Sequence, residues 1–281
     1  MDRRVRYVVL PLLFIAIAFA FCYWPRIFAD WDEHTTLYGA SRVIQGDLLF
    51  VNFIETKFPF AQWPFIPSVL AGSIEGHRVT QSLVIALTAL FFYAGLREIK
   101  VNQWFAILLA GLFILLSRSL DEGGAHSVFY LEHFSNLFLV SAFLLWIKTL
   151  HSGGRLQGWF WTLCLLSCAA CARPNLVIPV IFLLTLILTK WMIDMLVGYK
   201  RRDLTKKFLT VLFGAATPLL FMSLPYIVAG EIRAYWFGIT DLLPQFSSSY
   251  LGNSGTSQEV IYRITRDIKE TAETGPLYSD T

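Results

Sequence analysis

Acidic side chains and one lysine lie between the first two long apolar segments of the chain. The run D-W-D-E-H occupies residues 30–34, and Lys57 follows in the run E-T-K-F-P. A carboxylate such as that of Asp32 can take a proton from a hydroxyl group as a general base. An ammonium group just before a proline-broken apolar segment lies at the height of lipid headgroups, where it can bind a phosphate. The alternative for Lys57 is a lysine that extends its charge to water from a membrane-surface segment.

The acids in this run also have structural explanations. Asp30 can be the N-cap, and Glu33 the third-position partner of a capping box, at the start of a short amphipathic helix. Asp32 has no comparably specific role, although the helix dipole favours any acid in the first turn. Asp30 and Asp32 also form a D-x-D motif, and a divalent metal on these two carboxylates is the weaker interpretation. No resident cofactor is predicted. The apolar positions of the helix are Leu37, Ala40, Val43 and Ile44.

The acids and Lys57 lie between apolar segments that could cross a bilayer. Of the 281 residues 56% are hydrophobic and 15% charged, against roughly 45–50% and about 25% in soluble proteins. A helix that crosses about 30 Å of hydrocarbon needs roughly 20 apolar residues. Seven segments approach this length, and they are 7–25, 79–96, 101–117, 133–147, 156–172, 174–189 and 208–230. An eighth, 58–74, contains three prolines and is predicted to lie along the membrane surface.

The distribution of charge predicts how the segments are oriented. With the N-terminus inside, the interior loops carry 13 Lys and Arg against 4 Asp and Glu, as the positive-inside rule requires. The net charge of +3 includes no basic tract, which argues against binding to nucleic acid. The sequence thus predicts an all-α integral membrane protein, a polytopic bundle of about seven transmembrane helices with exterior juxtamembrane helices and the C-terminus outside.

The predicted organisation has two parts. Residues 1–230 form the transmembrane domain, whose first exterior loop, 26–78, carries the acids and Lys57. Residues 231–281 form an exterior polar segment, interpreted as the start of an incomplete further region. Cys164, Cys168 and Cys171 lie on one face of an apolar segment without a C-x-x-C pair, so they are predicted to be packing residues rather than metal ligands.

The order of these motifs resembles the GT-C glycosyltransferases, in particular the RgtA/B/C/D-like and ArnT-like branch related to protein O-mannosyltransferases. The resemblance lies in the pattern D-W-D-E-H-x3-Y-x3-R-x3-G-D, then E-T-K-F-P, on the first exterior loop. It continues in Y-L-E-H-F-S-N at 130–136 and in R-P-N at 173–175, and it covers most of the chain. Two positions depart from the family: Phe58 stands in place of a first proline, and an amide, Asn52, stands where an acid is common.

The resemblance implies that a sugar moves from a polyprenyl-phosphate donor to an acceptor hydroxyl on the extracytoplasmic face of the bacterial inner membrane. Asp32, with Glu33 beside it, would be the catalytic carboxylate that takes the acceptor proton. Because a phosphate leaves readily, the protonating acid of a glycosidase is unnecessary and one carboxylate suffices. A single displacement would invert the anomeric centre. The acceptor would be a glycan, a lipid or a protein.

The resemblance also implies roles for basic and polar residues near the same membrane face. The donor phosphate would be bound by Lys57, Arg173 and Arg78. Glu132, His133 and Tyr38 would line the acceptor pocket. The alternatives are an interfacial polar pair for Glu132 and His133, and a residue at the turn between two spans for Arg173.

Two other functions share the apolar segments. A transporter or flippase for lipid-linked sugars would use the same cations, but it needs polar groups near the membrane midplane, where these segments carry almost no ionisable residues. A catalytically inactive membrane partner is favoured by the short chain, since members of the family continue through further spans.

Overall fold

The computed structural model describes residues 3–23, 31–53, 59–72, 74–117, 119–121, 124–126, 131–173, 177–196 and 201–242. Within these ranges the protein is mostly helical, which confirms the predicted helical fold. The one described sheet is a short antiparallel hairpin of β1 (Ser119–Asp121) and β2 (Gly124–His126).

The helices are numbered in chain order. They are α1 (Arg3–Tyr23), α2 (Trp31–Ile44), α3 (Ile66–Leu70), α4 (Ile74–Glu98), α5 (Gln103–Leu116), α6 (Leu131–His151), α7 (Leu156–Ala172), α8 (Val177–Leu196), α9 (Arg201–Val228) and α10 (Ile232–Phe237). Two 3-10 turns, Pro59–Ala61 and Trp63–Phe65, precede α3. A π-helical turn, Gly238–Leu242, follows α10.

Three helical stretches in the described part of the chain are long and apolar enough to cross a membrane. They are Gly76–Glu98, His133–His151 and Thr205–Val228. Four apolar stretches are shorter, namely Val9–Ala20, Gln103–Leu116, Leu156–Ala172 and Val180–Thr189. All seven apolar segments of the sequence therefore fall on helices, and three of these have the length and composition of a span.

The long helices pack side by side in a bundle. Helix α4 packs against α1, α5 and α6, α6 packs against α7, and α7 packs against α8 and α9. At one end of the bundle, which we call the α2 end, Ala40 of α2 shares a cluster with Val84 of α4 and Phe134 of α6. At the opposite end, Glu98 of α4 lies 3.9 Å from Lys148 and 3.8 Å from His151 of α6. Helices α4 and α6 thus run in the same direction.

Small residues allow the helices to approach closely. Ala18, Ala89 and Ala110 are fully buried where α1, α4 and α5 meet. Gly214 of α9 lies against the backbone of α7, where an added Cβ would be 2.5 Å from the carbonyl oxygen of Phe160. Such contacts between backbones are typical of helices that associate in a membrane.

The proline-rich segment 58–74 does not form one long helix, because it is broken into the two 3-10 turns and α3. One side of the segment faces the bundle, since Phe65 has no exposed surface and packs with Ala40, Val84 and Phe134, whereas Leu70 is 70% exposed. Its location along the membrane surface stays a prediction. The segment is wedged between α2 and the bundle. An aromatic ring of this size gains more from burial among apolar side chains than from a place at the surface.

The last described segment, α10 and the π-helical turn, folds back onto the loop that follows α2. Tyr235 of α10 is fully buried, with its ring 4.9 Å from that of Tyr226 in α9. Burial, with a smaller effect of the nearby Cys171 thiol, raises the pKa of Tyr235 to about 12, so the phenol is neutral at physiological pH. Gly238 lies so close to Phe50 that any side chain at this position would overlap the ring.

Helix α2 ends in a Schellman motif built on Gly46. The Gly46 N–H bonds to the Val43 carbonyl and the Asp47 N–H to the Arg42 carbonyl, each at 3.0 Å. Gly46 has φ +90°, in the left-handed region that favours glycine. The motif turns the chain so that Asp47 returns over the last turn of α2.

Replacing Gly46 with Ala is expected to lower the free energy of unfolding by about 1–2 kcal/mol. A Cβ at this position would have no heavy atom within 4 Å, so the loss is one of backbone conformation and not of packing. Denaturant titration of the purified protein measures it. Gly46→Asn is the matched control and should lose less, because Asn tolerates this conformation; equal losses for both variants would contradict the explanation.

Candidate functional site

Polar side chains are buried together at the α2 end of the bundle, and we call this group the polar cluster. Each of them is less than a tenth exposed. They are Thr36, Gln62, Ser68, His77, Arg78, Gln81, Ser82, His133 and Ser135. Buried polar groups lower stability unless they bond to one another, to water or to a ligand. The polar cluster is therefore the candidate functional site of the described residues.

Helix α4 contributes polar residues at a helical spacing, with His77, Arg78 and Gln81 on one face of its first turns. The opposite face carries Val79 and Leu83, which are 39% and 44% exposed. The helix thus turns its polar side to the protein interior and apolar side chains outward. This is the reverse of a helix on a water-soluble protein, and it agrees with an apolar surrounding.

Arg78 brings a positive charge into the polar cluster. Its Nη1 donates a hydrogen bond of 2.9 Å to Oε1 of Gln81, one turn further along α4. The neighbouring His77 ring stacks on Phe65, with 6.2 Å between ring centroids and 29° between planes. A guanidinium group held in this way suits an anionic ligand with several oxygens, because its planar fork of donors matches phosphate or carboxylate.

His133 connects α6 to the end of α5. Its Nε2 lies 3.1 Å from the carbonyl oxygen of Ser117, which directly follows α5. A protonated Nε2 at this distance donates a hydrogen bond to one of the carbonyls that a helix end leaves without a partner. The ring is 7% exposed, so His133 has a structural role at this position whatever else it binds.

Two serine hydroxyls leave hydrogen-bonding capacity in the polar cluster. Ser68 of α3 and Ser135 of α6 are 3% and 1% exposed, and their Oγ atoms have no hydrogen-bond partner among the described residues. A hydroxyl both donates and accepts. These two hydroxyls can therefore bond to a polar ligand or an ordered water that reaches them.

Two acids of the predicted first exterior loop lie near the same end. Asp32 and Glu33 lie in the first turn of α2, one turn before the buried Thr36. Gly39, one turn further on, approaches Gln62 so closely that an added Cβ would be 2.6 Å from its Cγ. Helix α2 thus packs against the polar cluster, and the side chains of its two acids lie outside the described part.

The other predicted site residues lie in different places. Tyr38 is 57% exposed, and its ring meets the edge of Phe53 at 6.4 Å, so it does not join the buried polar cluster. Arg173 directly follows α7, and its N–H bonds to the Ala169 carbonyl at 3.0 Å. Glu132 lies in the first turn of α6 with its side chain outside the described part. Lys57 and Asp30 lie outside the described residues altogether.

A metal site can be examined only in part. No group of three or more His, Cys, Asp or Glu side chains suited to a metal ion occurs among the residues that the structure describes. This result does not bear on the alternative of a metal on Asp30 and Asp32, because Asp30 and the side chain of Asp32 lie outside the described part. Cys164 and Cys171 are buried in α7, as predicted for packing residues.

Comparison with known proteins adds no relative: no protein-family model matches the chain, and no curated protein matches it either. The fold defines a helical protein with apolar helices suited to a membrane, and the site defines a buried polar cluster with a cation.

Several residues of the polar cluster were missed by sequence reasoning. His77, Gln81 and Ser82 carry a readable signal, since their spacing with Arg78 places four polar residues on one face of an apolar segment. Gln62 and Ser68 carry none, because 3-10 turns and a short helix have no long periodicity from which burial could be inferred.

Proposed function

We propose that the protein is a membrane glycosyltransferase that moves a sugar from a polyprenyl-phosphate donor to an acceptor hydroxyl at the α2 end. One observation carries the proposal. In α2, Asp32 and Glu33 precede by one turn the buried Thr36, which belongs to the polar cluster that contains the guanidinium of Arg78. A base and a phosphate-binding cation at one end of an apolar bundle are what this reaction needs.

The proposed topology uses all seven apolar helices. The N-terminus is inside, the α2 end faces the extracytoplasmic side of the inner membrane, and the polypeptide has a GT-C-like arrangement. The charge bias of the loops supports this orientation. The parallel course of α4 and α6, the second and fourth predicted spans, supports it as well, since alternate spans enter a bilayer from the same side.

The proposed chemistry is a single displacement. Asp32 takes the proton of the acceptor hydroxyl as its oxygen forms a bond to the anomeric carbon. The bond from that carbon to the phosphate oxygen breaks, and the phosphate leaves with the electron pair. Arg78, Lys57 and Arg173 stabilise the charge that develops on the phosphate. The anomeric configuration is inverted.

The lack of charged residues along the long apolar helices favours sugar transfer over transport. No Asp, Glu, Lys or Arg occurs at 79–96, 134–147 or 208–228, which make up most of the three longest apolar stretches. Transporters bind their cargo near the midplane with polar or broken helices. The polar groups of this protein are concentrated at one end instead.

Release of the lipid phosphate tests the proposal without knowledge of the acceptor. The purified chain is placed in liposomes with radiolabelled undecaprenyl-phosphate-linked hexoses and pentoses and a membrane extract as acceptor source. Sugar transfer with release of undecaprenyl phosphate is the expected result. Movement of the intact labelled donor between leaflets, without cleavage, would indicate transport. If the liposomes show no transfer and no movement of the donor, the interpretation as an inactive membrane partner is the one that remains.

Replacing Lys57 with Met is expected to raise the KM for the donor by about tenfold, the loss of roughly one hydrogen bond to a charged group. The reason is the proposed contact between its ammonium group and the donor phosphate. Initial rates at varied donor concentration measure the change. Lys148→Met at the opposite end is the matched control and should leave KM unchanged; an unchanged KM for the Lys57 variant would rule out the contact.

A further inference from the structure

A pocket lies at the C-terminal end of α2, and we call it the Asp47 pocket. It is a cavity of about 130 Å³ between the end of α2 with the loop after it, the second 3-10 turn and the last turns of α9. Its polar and aromatic lining consists of Asp47, Trp63 and Tyr226, and the other lining residues are apolar or glycine. Neither the predicted catalytic residues nor the polar cluster contributes to it.

An ion pair holds the carboxylate of this pocket in place. Asp47 Oδ2 lies 2.8 Å from Nε of Arg42, with both side chains partly buried. The backbones of the same two residues are joined by the hydrogen bond of the Schellman motif. The backbone bond positions Asp47 and the ion pair draws its carboxylate toward Arg42, and the remaining oxygen sites can accept hydrogen bonds from a ligand.

Aromatic side chains provide an apolar wall beside the carboxylate. The Trp63 ring packs edge-on against Phe221, with 5.4 Å between ring centroids. Tyr226 is 3% exposed and lies deep in the pocket. An indole held by a neighbouring ring is a rigid surface with low conformational entropy to lose on binding.

These groups suit a neutral sugar ring better than a phosphate group or an isoprenoid chain. A sugar ring has hydroxyl groups on its edge for a carboxylate and C–H faces for an indole. A phosphate is disfavoured, because Asp47, the charged side chain in the described lining, is an acid, and the nearby cation of Arg42 is already paired with it. An isoprenoid chain is disfavoured by the small volume, well under the roughly 300–1,000 Å³ of sites for larger ligands.

The position of the pocket separates it from the proposed reaction. Val43 lies eleven residues after Asp32 in α2, and a rise of about 1.5 Å per residue places the two roughly 16 Å apart along the axis. The donor sugar, whose anomeric carbon is attacked next to Asp32, cannot extend as far as the Asp47 pocket. The ring in the Asp47 pocket is therefore a more distant unit of the acceptor.

We propose that the Asp47 pocket binds a neutral sugar ring of a glycan acceptor, with Asp47 accepting hydrogen bonds from its hydroxyls and Trp63 packing on its C–H face. This assignment rests on the proposed glycosyltransferase function and selects a glycan among the possible acceptors.

Saturation-transfer difference NMR on the full chain, in a detergent without a sugar headgroup, tests the proposal. The probes are maltose, lactose and chitobiose as acceptor units, and citronellyl-phosphate-linked glucose, mannose and galactose as donor analogues. At least one disaccharide is expected to bind. Asp47→Asn should weaken its binding by about tenfold, and Trp63→Leu should abolish it, with binding of the donor analogues unchanged.

Two variants at the opposite end are matched controls, namely Glu98→Gln and Trp104→Leu, the latter replacing a ring that is 75% exposed. Both should bind like the unaltered protein. If Trp63→Leu fails to fold, Trp63→Phe retains part of the aromatic surface and should give intermediate binding.

The outcomes separate this proposal from the proposed function. Absence of disaccharide binding overturns the pocket assignment, even if the protein transfers sugar. Loss of donor-analogue binding in the Asp47 and Trp63 variants also overturns it, because the ring would then belong to the donor. Disaccharide binding by a protein that transfers no sugar supports the pocket and refutes the glycosyltransferase function.

Discussion

Replacing Asp32 with Asn is expected to lower the rate of sugar transfer by about 10²–10⁴-fold, the usual contribution of a general base. The amide has nearly the shape of the carboxylate but cannot take the acceptor proton. Because the residue lies in the first turn of α2, helix packing at Thr36 and Gly39 should be unaffected. The turnover number, measured from released undecaprenyl phosphate at saturating donor, gives the effect, and donor KM should change little.

The matched control for Asp32→Asn is Glu98→Gln, an acid-to-amide change at the opposite end of the bundle, which should retain full activity. Glu33→Gln separates the two acids of α2. If Glu33 acts only as a helix cap, its replacement should cost stability and little activity. Full transfer by a folded Asp32→Asn protein would remove Asp32 from the catalytic role.

Replacing Gly214 with Ala is expected to destabilise the protein by about 1–3 kcal/mol through overpacking. The added methyl would lie 2.5 Å from the Phe160 carbonyl oxygen, which belongs to the rigid backbone of α7 and cannot turn aside. Helices α7 and α9 would have to separate along a buried contact that includes Leu163 and Val211. The free energy of unfolding, from titration with a denaturing detergent, measures the loss.

Gly111→Ala in α5 is the matched control, because a Cβ there would have no heavy atom within 4 Å. It should leave stability unchanged or raise it by about 0.5–1 kcal/mol, since alanine loses less backbone freedom than glycine. Equal effects at the two positions would show that helix propensity, and not the contact with Phe160, determines the result at Gly214.

The positions of the long helices could be predicted from the sequence because apolar runs between charges mark them. The run 156–172 coincides with α7, whereas the run 208–230 corresponds to α9 beginning at Arg201. The difference has a physical reason: the bilayer criterion counts apolar residues, but backbone hydrogen bonds continue a helix through charged residues beyond the hydrocarbon.

Proline was a useful but incomplete guide. Three prolines in nine residues, Pro59 to Pro67, break the segment after Lys57 into short turns. Helix α9 contains Pro218 and Pro225 and is continuous. Its neighbours hold it in place, and proline costs less where packing maintains the helix.

Residues of the candidate site could be predicted only where they lie on a long helix with a regular apolar and polar pattern. Arg78 was identified as a cation near the membrane face, but its burial and its bond to Gln81 depend on how α2 and the segment 58–74 pack over α4. The ion pair of Arg42 with Asp47 depends on the left-handed turn at Gly46. Neither arrangement follows from hydrophobic periodicity, since both are made by irregular backbone.

The contact between Phe50 and Gly238 affects the order in which the protein can assemble during synthesis. The loop after α2 leaves the ribosome early, but the π-helical turn that covers it is made 188 residues later. Until then the Phe50 ring and the buried faces of Met222 and Tyr226 lack a cover. The part of the loop around Phe50 therefore stays uncovered until the last described turn has been made, and apolar surface left uncovered during synthesis favours misfolding.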